Sequence, residues 1–174
     1  TRLIGAVIMT HGDNNGLVLP PMIAPTQVIV IPIAQHKEGV LEKAEELRDR
    51  LSGFRVKLDA TDNKPGWKFA EAEMRGIPVR VEIGPKDIEK NQCVVVTRHN
   101  REKTFVSLDD IETVILEKLE EVRQGLYDSA LENRERRTYV AKTLDDITKQ
   151  LEEHGDGFVK AMWCGSEECE EKVK

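Results

Sequence analysis

The run QVIVIPI at 27–33 restricts the fold of this chain more than any other feature. A strand that alternates apolar and polar residues has one wet face, whereas one that is apolar at every position needs cover on both. Such a strand belongs inside a sheet flanked by helices on both sides, and the neighbouring sequence supplies them. Over 38–51, Val40, Leu41, Ala44, Leu47 and Leu51 recur at helical spacing and Gly53 follows as the stop. Residues 54–58 read as a strand, and the loop DATDNKPG leads into a short helix over 67–75 closed by Gly76. Strands over 79–83 and 93–98 are joined by a GPKDIEKNQ loop. Ser107-x-x-Asp110 then opens a helix with the apolar stripe Ile111, Ile115, Leu119, Val122 and Leu126. Upstream, the apolar residues 3–9 read as a further buried strand, and Pro20, Pro21 and Pro25 exclude a helix from the connector. The expected fold class is α/β, with a mixed, mainly parallel five-stranded sheet between helices.

After Gly125 the pattern changes. Residues 127–142 are polar and basic and read as an exposed continuation of the helix. Thr143-x-x-Asp146 starts another helix ending near Gly155, and a strand over 158–162 leads into Trp163-Cys164. A small α+β unit is expected there. The chain opens at Thr1-Arg2 directly on an apolar run, as a piece of a longer protein would.

Charged residues make up 33% of the 174 positions, and no apolar run reaches membrane-spanning length. Three cysteines fit a reducing cytoplasm better than a disulfide framework. No glycine-rich dinucleotide fingerprint and no P-loop follow the first strand. No Ser-His-Asp, Cys-His or H-E-x-x-H pattern offers hydrolytic chemistry, so a small-molecule enzyme ranks last. His36, His99 and His154 are scattered, and His11 sits in a turn beside Asp13. Cys93, within a strand, reads as a small core residue.

The charge distribution is more telling. Over 64–103 nine basic residues face six acidic ones, in a chain of net charge −6. A cationic island on an acidic body suits selective nucleic-acid binding, and an ordinary solvated rim would look alike. In Arg80-Val81-Glu82 alternation puts Arg80 and Glu82 on one strand face. With Glu73, Lys86 and Asp87 nearby in sequence, these residues suit a guanine, whose O6 and N7 accept from Arg or Lys and whose N1 and N2 donate to a carboxylate. An internal salt-bridge network is the competing reading. Cys164 and Cys169 form a C-x4-C pair, half of a structural zinc site.

Three stretches resemble one known family. TRLIGAVIMTHGDNNGLVLPPMIAPTQVIVIPI resembles the end of the catalytic domain of prolyl-tRNA synthetases, running into their anticodon-binding domain. PGWKFAEAEMRGIPVRVEIGPKD resembles the core of that domain, and WCGSEEC resembles the start of the zinc-binding C-terminal domain of the archaeal and eukaryotic-like form. GLVLPP and the late cysteine pair set it apart from threonyl, histidyl and glycyl enzymes. The resemblance implies a catalytic-domain tail over 1–22, an anticodon-binding domain over 23–126 and the start of the C-terminal domain over 127–174. It implies ATP contact for Arg2, and anticodon contact for Glu73, Arg80, Lys86, Asp87 and Lys103. Zinc ligation would fall to Cys164 and Cys169. The parent would be a cytoplasmic homodimer that uses ATP and magnesium to join proline to tRNA(Pro). With the upstream motifs of the catalytic domain missing, this polypeptide alone is expected not to aminoacylate. A non-catalytic RNA-binding accessory module of the same fold is the alternative.

Overall fold

The computed structural model describes residues 2–172, which divide into two compact units, Thr1–Tyr127 and Asp128–Lys174. In the first, five strands form one sheet in the order β2-β1-β3-β4-β5: β1 (Val28–Pro32), β2 (Val56–Leu58), β3 (Val79–Ile83), β4 (Gln92–Thr97) and β5 (Lys103–Ser107). β1 pairs in parallel with β2 and β3, and the β3–β4 and β4–β5 pairings are antiparallel. The sheet is therefore mixed, with parallel and antiparallel pairings equal in number.

Topology explains why β1 is apolar throughout. The β1–β2 crossover carries α2 (Val40–Arg50), and the return from β2 to β3 on the other side of β1 carries α3 (Pro65–Met74). Crossovers of one hand running in opposite directions place their helices on opposite faces. Val28 and Val30 consequently join Ala44 and Leu47 of α2 in the main core, while Ile29 and Ile31 meet Phe69 and Ala72 of α3. All five residues of β1 are buried. The long helix α5 (Ile111–Arg136) lays its expected stripe, Ile111 to Leu126, on the α2 side. Cys93 is fully buried in that core, and burial pushes its thiol up to about 12.

The connector before β1 is fastened to α3. Leu17 N–H donates to Met74 O (3.0 Å) and Leu19 N–H to Gly76 O (3.2 Å). Gly76 sits at φ 70°, and a Cβ there would lie 2.7 Å from the Leu17 carbonyl carbon. Arg55 clasps the proline turn, donating to Ala24 O (2.8 Å) and Pro21 O (2.7 Å).

Three local expectations are corrected. Residues 3–9 are not a buried strand but part of a helix, α1 (Arg2–His11), on which Leu3 and Met9 are more than 80% exposed. A helix satisfies its backbone internally, whereas a strand needs a neighbour's edge, and this segment pairs with none of the five strands. The loop after β3 contains a short helix, α4 (Pro85–Glu89), started by Pro85 and by Asp87 Oδ2 accepting from Gly84 N–H (3.0 Å). Residues 103–107 form a strand that the sequence reading passed over, and Ser107 then caps through Asp109 N–H (3.2 Å), not Asp110.

The second unit holds the end of α5, the parallel pair β6 (Thr138–Val140) and β7 (Phe158–Lys160), α6 (Leu144–His154) and α7 (Glu167–Glu171). Its capping box forms as expected: Asp146 N–H donates to Thr143 Oγ1 (3.1 Å) and Thr143 N–H to Asp146 Oδ2 (3.0 Å). Gly155 ends α6 in the left-handed region at φ 71°. Tyr139 and His154 stack with ring centroids 4.0 Å apart.

Candidate nucleic-acid interface

Register places eight residues of one sheet face in two rows. The first row is Ile29, Arg80, Val96 and Lys103, and the second is Ile31, Glu82, Val94 and Phe105. α3 seals the isoleucine end of both rows. The β5 end stays open, with Lys103 and Phe105 exposed.

Arg80 is only 7% exposed at the boundary between the sealed and open ends. Its Nε donates to Glu82 Oε1 (2.9 Å), its Nη1 to Glu73 Oε1 (3.2 Å), and its guanidinium carbon lies 4.3 Å from the centre of the Phe69 ring. The guanidinium is thus held in one orientation by two carboxylates and a ring. Lys103 Nζ lies 3.9 Å from Glu82 Oε2, and Arg101 Nε lies 3.8 Å from Glu73 Oε2. Glu73, Arg80 and Lys103 therefore converge on one network with Glu82 and Arg101. Lys86 is exposed on the first turn of α4, where it makes no ion pair among the described residues. Asp87 follows it, half-buried, with one oxygen committed to the start of α4.

The cationic island separates by burial and by pairing. Lys68 is 2% exposed and donates to Asp59 O (2.9 Å) and Gln35 Oε1 (3.1 Å). Arg98 is 3% exposed and grips both oxygens of Asp13, at 2.7 and 2.8 Å, as well as Glu73 O at 2.9 Å. These two are structural cations, and the Arg98 hydrogen bonds hold the Asp13 carboxyl well below the usual carboxylate range. Arg75 is exposed but paired with Glu71 (2.6 Å). Lys64, Lys86 and Lys90 are exposed and make no ion pair among the described residues, so they remain available to phosphate.

The other expected positions lie elsewhere. Arg2 is exposed at the start of α1. Cys164 is exposed and Cys169 half-buried in the second unit. A hydrogen bond from the Ser166 backbone lowers the Cys164 thiol's pKa, and the interaction with Cys164 raises that of Cys169. Two thiols do not complete a tetrahedral zinc site, and no cluster of three or more metal-ligating residues exists among the described residues. Among those residues, too, no helix is long and apolar enough to cross a membrane.

The sequence reading missed Asp13, Arg101 and Phe105. Asp13 and Arg101 become neighbours of the site only through tertiary contacts. Phe105 carries a local signal, the alternation KTFVS, in which Lys103 and Phe105 face one way and Thr104 and Val106 the other.

A mixed sheet with a half-open face bearing arginine, carboxylates, lysine and an exposed ring has the chemistry that single-stranded RNA readers use. Residues 27–118 match the family described as the anticodon binding domain, and the chain belongs to that family. Over its full length it is 59% identical to a "Proline--tRNA ligase" of Ruminiclostridium cellulolyticum and 58% identical to one of Clostridium botulinum strain Okra. A "Proline--tRNA ligase" of Clostridium novyi is also 59% identical over the whole chain. The chain spans 36% of the length of each of these relatives.

Proposed function

We propose that this chain is the anticodon-reading portion of a proline–tRNA ligase that charges tRNA(Pro) in the cytoplasm. The observation that carries this is identity near 59% along the entire chain to enzymes of that name, combined with the open, guanine-compatible face. Glu73, Arg80, Lys86, Asp87 and Lys103 are the proposed anticodon contacts. Proline anticodons have guanine at their second and third positions. A base splayed from the loop would present O6 and N7 to Arg80 or Lys86, and its N1 and N2 hydrogens to Glu73 or Asp87. The fixed orientation of Arg80 supports selectivity, because its donors need not be ordered when RNA arrives. Exposed lysines would neutralise flanking phosphates.

The parent enzyme would activate proline with ATP and magnesium, with Arg2 contacting the nucleotide, and would act as a homodimer. A catalytic-domain tail over 1–22, a reader over 23–126 and a C-terminal domain beginning at 127 are the corresponding divisions. Cys164 and Cys169 would supply two ligands of a zinc site, with no step of the reaction assigned to it.

The test is the affinity of the chain for a hairpin RNA with a UGG anticodon loop, and for the same hairpin with both guanines replaced, at one salt concentration. A clear loss on replacement is expected. Equal binding would reduce the site to a nonspecific basic patch.

A further inference from the structure

The open end of the sheet face carries a side chain outside the proposed guanine set. Phe105 is 68% exposed, whereas Val106, its neighbour on the opposite face of β5, is 5% exposed. In its row the first member, Ile31, is sealed under α3, and the last, Phe105, lies beyond the reach of that helix. A phenylalanine ring in water forgoes the burial that stabilises aromatic residues elsewhere. Strand formation does not require it, since threonine serves an outward-facing strand position as well.

The surroundings of the ring have the chemistry of a nucleotide site. Lys103, two residues away on the same face, keeps 58% of its side chain exposed. Glu82 lies across Val94 in the same row, at roughly two strand spacings, or about 10 Å. Its Oε1 accepts from Arg80, its Oε2 lies 3.9 Å from Lys103 Nζ, and its side chain is 6% exposed. A flat apolar ring and a cation therefore share one open surface, with the buried Glu82 carboxylate behind Lys103. Charge complementarity favours RNA: Lys103 beside the ring is 58% exposed, and the Glu73 and Glu82 carboxylates of this face are held in ion pairs.

We propose that Phe105 is the stacking platform for one unpaired base of the anticodon loop, with Lys103 beside that nucleotide's phosphate. Sheet-borne aromatic residues bind single strands this way because every base has a π-face. The proposal rests on the anticodon-reading function above and adds the element that orients the base before its edge is read.

The experiment uses the 174-residue chain, as wild type, Phe105→Ala and Phe105→Trp, with UGG hairpins carrying 2-aminopurine at each loop position in turn. Stacking on the ring is expected to quench the probe at one position on binding. Phe105→Ala should weaken binding on the order of 5- to 150-fold and abolish that quench, while Phe105→Trp keeps both. A wild-type urea midpoint in Phe105→Ala checks the fold. If Phe105→Ala binds as tightly with every quench intact, or weakens binding without changing any quench, stacking is overturned. In that case poorer binding of guanine-replaced hairpins by the wild type still upholds anticodon reading. If the wild type does not discriminate those hairpins, anticodon reading fails, and the platform with it.

Discussion

Arg80 carries a structural duty and a proposed recognition duty at once. With 8% of its side chain exposed between Glu82 and Glu73, it neutralises a carboxylate that is itself 6% exposed. Removing one partner of such a pair leaves a buried charge unmatched. Arg80→Ala should therefore lower unfolding free energy by about 3–5 kcal/mol, measured by urea denaturation. Below its unfolding midpoint the same variant should lose about 1–3 kcal/mol of discrimination for guanine. Unchanged selectivity between the two hairpins would remove Arg80 from the reading set. Asp13 offers a test through pH. Its pKa in the folded chain lies below the unfolded value near 3.8, so its stabilisation is complete above that value and fades as pH falls through it toward the folded pKa. The melting-temperature gap between wild type and Asp13→Asn should thus be widest above pH 5 and narrow progressively as pH falls below 4. A gap that ignores pH would show that Asp13 holds Arg98 by shape alone. The Arg98 partnership spans 85 positions, which is why no local pattern disclosed it.

Among the elements, those whose turns and caps are local were legible in the sequence. α3 stops where Gly76 allows a left-handed residue, and the close approach of Leu17 makes that glycine irreplaceable. Gly76→Ala should cost at least about 2 kcal/mol: the left-handed penalty for an L-residue is roughly 1–2 kcal/mol, and the 2.7 Å contact with backbone adds to it. A urea midpoint equal to wild type would contradict this. Thr143→Ala should cost about 0.5–2 kcal/mol and reduce helix signal from α6, readable by circular dichroism during thermal melting. α1 went the other way. Its apolar run is consistent with either element, and the segment closes its own backbone hydrogen bonds as a helix without joining the sheet. β5 was overlooked because it is short and mixed in polarity; its identity comes from pairing with β4.

For the whole molecule, net charge is a poor guide to the binding surface. The chain carries −6, yet exposed lysines without ion pairs among the described residues (Lys64, Lys86 and Lys90) occur in the reader unit. Lys90→Ala should weaken binding to matched and guanine-replaced hairpins alike. It should also lessen the slope of log affinity against log salt by about 0.7, the single-strand value for one phosphate. A loss confined to the matched hairpin would instead make Lys90 a base reader.

The sequence by itself determined the α/β class, the two-sided burial of β1, the stripe of α5 and the resemblance that leads to an anticodon reader. These follow from periodicity, turn residues and motif order, all short-range in the chain. Only the tertiary structure decided which charges are spent internally. Lys68 and Arg98 looked the same as Lys86 and Lys90 in sequence, and burial against Asp59, Gln35 and Asp13 separates them. It also decided that the sheet face is half covered, because α3 reaches β1 and not β5, leaving Lys103 and Phe105 in the open. Whether a polar side chain is scaffold or site depends on the desolvation around it, and desolvation is set by residues distant in sequence.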